Sequence, residues 1–225
     1  MFIVDGPVLD PFLVAVVKCI PKVNPLLTPA PEDLASRNYL TWNMLFPSNY
    51  VHRSNEPGHL SWSEGRDTPA TFPRLTALRL ISHQFPWFVD IVARNRNVGV
   101  TCGEVIDQLS DFLNTPCSKS EYHAVPAEKR RQIDAAYYNN RGMSHDVPGG
   151  RLGQGLKYLD FLREDSEFGG IEVDTSYVRE RMSLRNNSRD LSCVFVVHCS
   201  KRLGQTQDEV TAHGLRGSRP PSRAE

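Results

Sequence analysis

The sequence predicts an α+β fold, a mainly antiparallel sheet of four or five strands with two helices packed on one face. Three observations carry this. Two runs rich in apolar and β-branched residues, Leu75 to Ser82 and Phe88 to Arg94, flank the Gln84-Phe85-Pro86 step at hairpin-like spacing. Thr101-Cys102-Gly103-Glu104 has the S/T-x-x-E form of a capping box and opens a one-face apolar pattern through Leu113. The late run Leu191 to Cys199 is apolar at both parities, as in a strand covered on both faces.

Taken in chain order, residues 1–24 hold an apolar stretch interrupted by prolines and read as an N-terminal extension, with Pro25, Pro29 and Pro31 as an extended lead-in. Structure is expected from Tyr39, where Leu40, Trp42 and Met44 share one side of a short strand ended by Pro47. The stretch from Val51 to Arg74, with Pro57, Gly58, Gly65, Pro69 and Pro73, reads as a long surface loop. After the helix over 101–114, Ser118-Lys119-Ser120-Glu121 is a second capping box, and Pro126 starts a longer helix over Ala127 to Asn140 that Gly142 ends. Residues 143–155 read as a Gly-rich loop. Leu156 to Leu162 is strand-like, with a short helix as its competitor. From Gly204 the chain turns to Gly, Ser, Pro, Arg and Gln, so residues 201–225 are expected to be a disordered tail beyond a single domain over 25–200.

Several segments resemble one family as a series. They are P-L-L at Pro25 to Leu27, L-T-W-N-M-L-F-P-S at Leu40 to Ser48, P-A-T-F-P-R-L at Pro69 to Leu75, P-W-F-V-D-I at Pro86 to Ile91 and G-V-T-C-G-E-V-I at Gly99 to Ile106. Phe112 and Leu113, A-Y-Y-N-N-R at Ala136 to Arg141 and the L-D-F-L … F-G-G-I region at Leu159 to Ile171 complete it. Together they resemble a family of domains of unknown function from mushroom-forming fungi, number 6699 in that series. The resemblance implies the domain's extent and fold and supplies no catalytic residues. Where this chain has Cys102, the family more often has an aliphatic residue, which implies a packing role there.

Composition narrows the function classes. Lys plus Arg and Asp plus Glu are 26 each, so no global field draws the protein to nucleic acid or to an anionic membrane. The run Phe12 to Val17 is too short to span a bilayer, and Asp5 and Asp10 stand where a secretory signal would carry positive charge. Five scattered cysteines without a C-x-x-C pair suit neither a disulfide framework nor zinc. A soluble protein of the cytoplasm or nucleus, without membrane attachment, metal or cofactor, is the expectation.

No motif identifies an activity. Cys102, at the first residue of a helix, has the setting of an activated thiolate, but Glu104 opposes ionisation and no His lies near in sequence, so it reads as a small core residue. Gly149 to Gly155 lacks the Lys-Ser/Thr pair of a phosphate loop. His83, His123 and His145 have no metal-ligand spacing. Two residues stand as binding candidates: Trp62, expected to be exposed in the long polar loop, and His198, at the end of an apolar strand. Lys129-Arg130-Arg131 reads as a solvated helix face, and Arg219-Pro220-Pro221 as an extended peptide ligand in the tail. The leading expectation is a non-catalytic binding or protein-interaction module. The competing one is a hydrolase or transferase with a cleft near the C-terminal strand, using His198, Cys199 or carboxylates from Glu164 to Glu167.

Overall fold

The computed structural model describes residues 6–58, 60–182 and 192–201. The expected α+β class holds, with five α-helices among the described residues rather than two and with one parallel pairing inside the main sheet.

The main sheet has four strands. Strand β7 (Ala77–Ser82) pairs antiparallel with β8 (Val89–Val92), the expected hairpin, with Leu80 opposite Val89. On the other side β7 runs parallel to β10 (Val194–Ser200), which is central and pairs antiparallel with β9 (Glu167–Glu172). The double-sided burial read from the 191–199 run has a direct cause. Phe195 and Val197 join the large cluster with Leu80, whereas Val194 and Val196 join a smaller one with Ile81 and Val178. Val178 comes from helix α5 (Thr175–Arg181), which the sequence reading missed; Asp174 caps it by accepting from Ser176 N and Tyr177 N. Leu191, at the start of that run, lies outside the described residues, as does the expected tail beyond Lys201.

Strand β9 was also missed, because Gly169-Gly170 reads as a breaker. Its glycines are there for close approach: a Cβ on Gly170, whose φ is +94°, would lie 2.3 Å from Pro29 N. The Leu156 to Leu162 run resolves to its competitor, a 3₁₀ turn over Tyr158–Leu162.

Helix α2 (Cys102–Leu113) forms where its capping box places it. Thr101 Oγ1 accepts from Glu104 N, and Glu104 Oε2 accepts from Thr101 N. It buries Val105, Ile106, Leu109 and Leu113 against β8, and its Gln108 amide bonds both N and O of Val92, covering that edge of the strand. The second capping box opens α3 (Lys119–Ala124), and α4 (Ala127–Asn140) follows Pro126, burying Ile133 and Ala136 as its stripe predicts. Tyr137 is half-buried, with the Arg141 guanidinium 3.8 Å over its ring.

Structure starts earlier than Tyr39. Strand β1 (Val8–Leu9) runs parallel to β6 (Arg74–Leu75), and β2 (Lys22–Val23) pairs with β5 (Thr71–Phe72). Between β1 and β2 lies α1 (Pro11–Val17), capped by Asp10, whose carboxylate accepts from Leu13 N at 2.8 Å. Pro11 fits the first turn, where no N–H is needed, and Lys18 ends the helix in the left-handed region at φ 53°. The prolines therefore punctuate short elements rather than exclude them. The strand expected at Tyr39 to Leu45 shortens to β3 (Leu40–Thr41), paired with β4 (His52–Arg53); Leu40, Trp42 and Met44 are buried as the alternation requires.

Candidate functional site

Trp62 is not exposed: its relative exposure is 3%. The 51–74 segment is not a loose loop, since β4, β5 and β6 lie in it. Trp62 N donates to Val51 O at 2.9 Å, and the indole Nε1 donates to Glu64 O at 2.7 Å. Arg66 sits over the ring, 5.4 Å from its centre, and reaches on to Asp107 of α2. Gly103 makes room for this, because a Cβ there would meet Arg66 Cγ at 2.6 Å. A polar composition around an aromatic residue signalled exposure, but those polar groups fold over the ring.

His198 stays half-exposed on β10, with Nε2 2.7 Å from Glu172 Oε1 on β9. Despite this distance Nε2 has no hydrogen-bond partner, so the two side chains touch without a directed hydrogen bond. Strand alternation sends Cys199 the other way, to Ser82 at 3.7 Å, where burial pushes its thiol up to about 12. Glu164 pairs with Lys201 at 3.4 Å. A His–carboxylate contact is the orienting half of a catalytic arrangement, but here the neighbouring thiol belongs to the opposite face.

Cys102 is fully buried, with its sulfur 3.5 Å from Thr68 Oγ1. Desolvation holds its thiol up at about 12, which overrides the helix N-terminus and gives packing, not nucleophilicity. The Gly149 to Gly155 segment includes a 3₁₀ turn over Gly149–Leu152 and is held by Arg141, which donates to Gly153 O at 2.9 Å and Gly155 O at 2.7 Å. Its carbonyls thus face a guanidinium of the chain itself.

One further cluster joins four segments. Trp87 lies tilted at 4.0 Å from Tyr158 and meets Phe161 edge-on at 4.5 Å, while Phe112 stacks on Tyr158 at 4.8 Å. The Tyr158 hydroxyl donates to Glu121 Oε1 at 2.7 Å; burial and this carboxylate raise its pKa to about 12. Glu121 also accepts from Ser118 N and Oγ, bonds that draw its own pKa down. The rings pack on one another with the hydroxyl–carboxylate bond at their edge, a polar-tipped packing centre.

The surface that stands apart is α1. Its seven residues, P-F-L-V-A-V-V, contain no polar side chain, and only Val14 is buried. Phe12, Leu13, Val16 and Val17 are 74%, 42%, 55% and 58% exposed, and Ile20 beyond the helix is 71% exposed. A helix apolar all round is ordinarily covered, and contiguous apolar patches mark interaction sites. The sequence did carry a signal, an aspartate and a proline directly before an uninterrupted apolar run.

Among the described residues no group of three or more His, Cys, Asp or Glu could hold a metal ion, and no helix is long and apolar enough to cross a membrane. A model described as a family of unknown function (DUF6699) matches residues 40–182. No curated protein and no solved structure matches the chain. The apolar α1 face lies before the matched residues.

Proposed function

The chain belongs to this family of unknown function, and from that premise we propose that it is a non-catalytic protein-interaction module whose docking surface is the outer face of α1 with Ile20. The carrying observation is the row of exposed Phe12, Leu13, Val16, Val17 and Ile20 on an element with no polar side chain. The fold gives that face a firm base: Val14 anchors it in the core, Asp10 caps it, and β1 and β2 on either side tie it to β6 and β5. Val16, Val17 and Ile20 are β-branched and have little rotamer freedom to lose on contact. All five cysteines are free, which supports a reducing compartment, cytoplasm or nucleus, as the place of action.

The test compares immobilised wild-type chain with a Val16→Asp chain in native lysate, quantifying every retained protein, untagged copies of the same chain included. The reading expects at least one protein to be lost from the Val16→Asp bait. Identical retention by both baits overturns it.

A further inference from the structure

We propose that the Arg163 guanidinium is a receptor for a ligand oxyanion, a carboxylate or a phosphate, at a site separate from the α1 face. Two observations meet at this residue. Its backbone takes a conformation suited to glycine, and its side chain is held in place without being neutralised.

The backbone observation is a tight turn. Asp165 N donates to Leu162 O at 3.0 Å, and Arg163 is the first central residue of the turn so closed, with φ 57° and ψ −121°. These values are those of a type II′ turn, whose first central position is ordinarily glycine because a Cβ there is strained. Among the described residues Lys18 is the one other non-glycine with positive φ, and it occupies the common left-handed end of a helix. A strained side chain persists only where its surroundings over-determine it, and such positions cluster at ligand sites.

The side-chain observation is the setting of the charge. Nη1 donates to Gln132 Oε1 of α4 at 2.6 Å, and Nη2 donates to Gln84 Oε1 of the β7–β8 connection at 2.8 Å. Both acceptors are neutral amides, so they aim the guanidinium and leave its charge in place. The adjacent Glu164 turns to Lys201, and among the described residues no carboxylate pairs with Arg163. Arg141 and Arg66 also join separate segments, but they meet carboxylates, Asp160 and Asp107. Arg74 meets neutral oxygens alone, yet these are backbone carbonyls and its φ is ordinary. The half-exposed Arg163 fork keeps N–H groups to donate, and its planar geometry matches a carboxylate or a phosphate. A glutamate at 84 or 132 would join the same segments and cancel the charge, whereas glutamine leaves it for an incoming anion.

The test titrates the uniformly nitrogen-15-labelled full chain with inorganic phosphate in one arm and acetate in the other, with chloride holding the ionic strength constant. The Arg163 Nε–H resonance and the backbone amides of residues 162–165 should shift and saturate in at least one arm, with a dissociation constant on the order of 1 mM. Saturation by phosphate alone identifies a phosphate-bearing ligand, and by acetate alone a carboxylate. Gln132→Glu supplies an internal counter-ion at an exposed position and should weaken binding at least about tenfold. Arg163→Gly suits the turn and should abolish the shifts of the 162–165 amides. An unchanged far-ultraviolet circular dichroism spectrum shows that each variant folds. Shifts that saturate in neither arm overturn the proposal. Binding that survives either substitution at full strength marks an adventitious ion only and overturns it as well.

Discussion

Arg141 meets Asp160 with Nη1 3.0 Å from a carboxylate oxygen that has no exposure to solvent. Asn140 Nδ2 donates to that oxygen at 2.9 Å and Lys157 N to its neighbour at 2.9 Å, so the buried charge has a full set of partners. The same guanidinium reaches Gly153 O and Gly155 O and lies 3.8 Å over the Tyr137 ring. One ion pair thus joins the end of α4, the Gly-rich segment and the 3₁₀ turn that carries Tyr158.

Removing either partner leaves the other uncompensated in the interior. Arg141→Met should lower the unfolding free energy by about 3–5 kcal/mol, visible as an earlier urea midpoint, whereas Arg130→Met on the outer side of α4 should cost below about 1 kcal/mol. Equal effects of the two substitutions would contradict the buried-pair account.

Ser82, Thr68 and their surroundings enclose thiols that should make the protein sensitive to alkali. Cys102, Cys193 and Cys199 ionise at about 12 in the fold, raised first by burial, against 9.0 for a free thiol. Between these values the unfolded chain sheds protons that the folded chain keeps, so stability is intact below pH 9 and is lost as pH climbs towards 12. Unfolding free energy measured across that range should fall, and Cys102→Ala should make the fall shallower. A slope that Cys102→Ala leaves unchanged would refute this.

Gly170 and Gly103 should differ in tolerance. Gly170→Ala combines a φ of +94° with a Cβ only 2.3 Å from Pro29 N, both fixed by backbone, and should cost at least about 2 kcal/mol. Gly103→Ala meets the Arg66 side chain first, which can swing aside, so about 1 kcal/mol and loss of the Arg66–Asp107 pair are expected. Thermal unfolding of both variants ranks them, and a milder effect at Gly170 would count against the packing of β9 on residues 28–29.

Trp62→Ala should destabilise by about 3–5 kcal/mol, the range for a buried aromatic. By contrast, a double-mutant cycle on His198 and Glu172, both side chains more than a third exposed, should return a coupling below about 1 kcal/mol. Tryptophan emission that stays as red-shifted in the wild-type chain as in the unfolded chain would contradict the burial of Trp62 together with Trp42.

Helices α2 and α4, and the capping box that opens α3, were legible because their signals are local. A capping box satisfies donors three residues away, and Pro126 and an apolar stripe act within a turn or two. The β7–β8 hairpin was legible for the same reason. Strand β9 and helix α5 were not, because Gly169-Gly170 counts as a breaker until the Thr28–Pro29 backbone is known to press against it, and α5 buries a single large apolar residue, Val178. Trp62 misled for a related reason: Val51, Glu64 and Arg66 look like solvent-facing neighbours until they close over the ring.

The sequence by itself determined the α+β class, the starts and ends of two helices, and the two-faced burial of β10, since these depend on hydrogen bonds and periodicities within a few residues. Only the tertiary structure decided that β10 runs parallel to β7, that Arg141 neutralises Asp160, and that Trp62 is covered while Phe12, Val16 and Ile20 are not. An apolar side chain gains equally from any apolar neighbour. Which of them are buried and which stay exposed is fixed by long-range packing that composition does not encode.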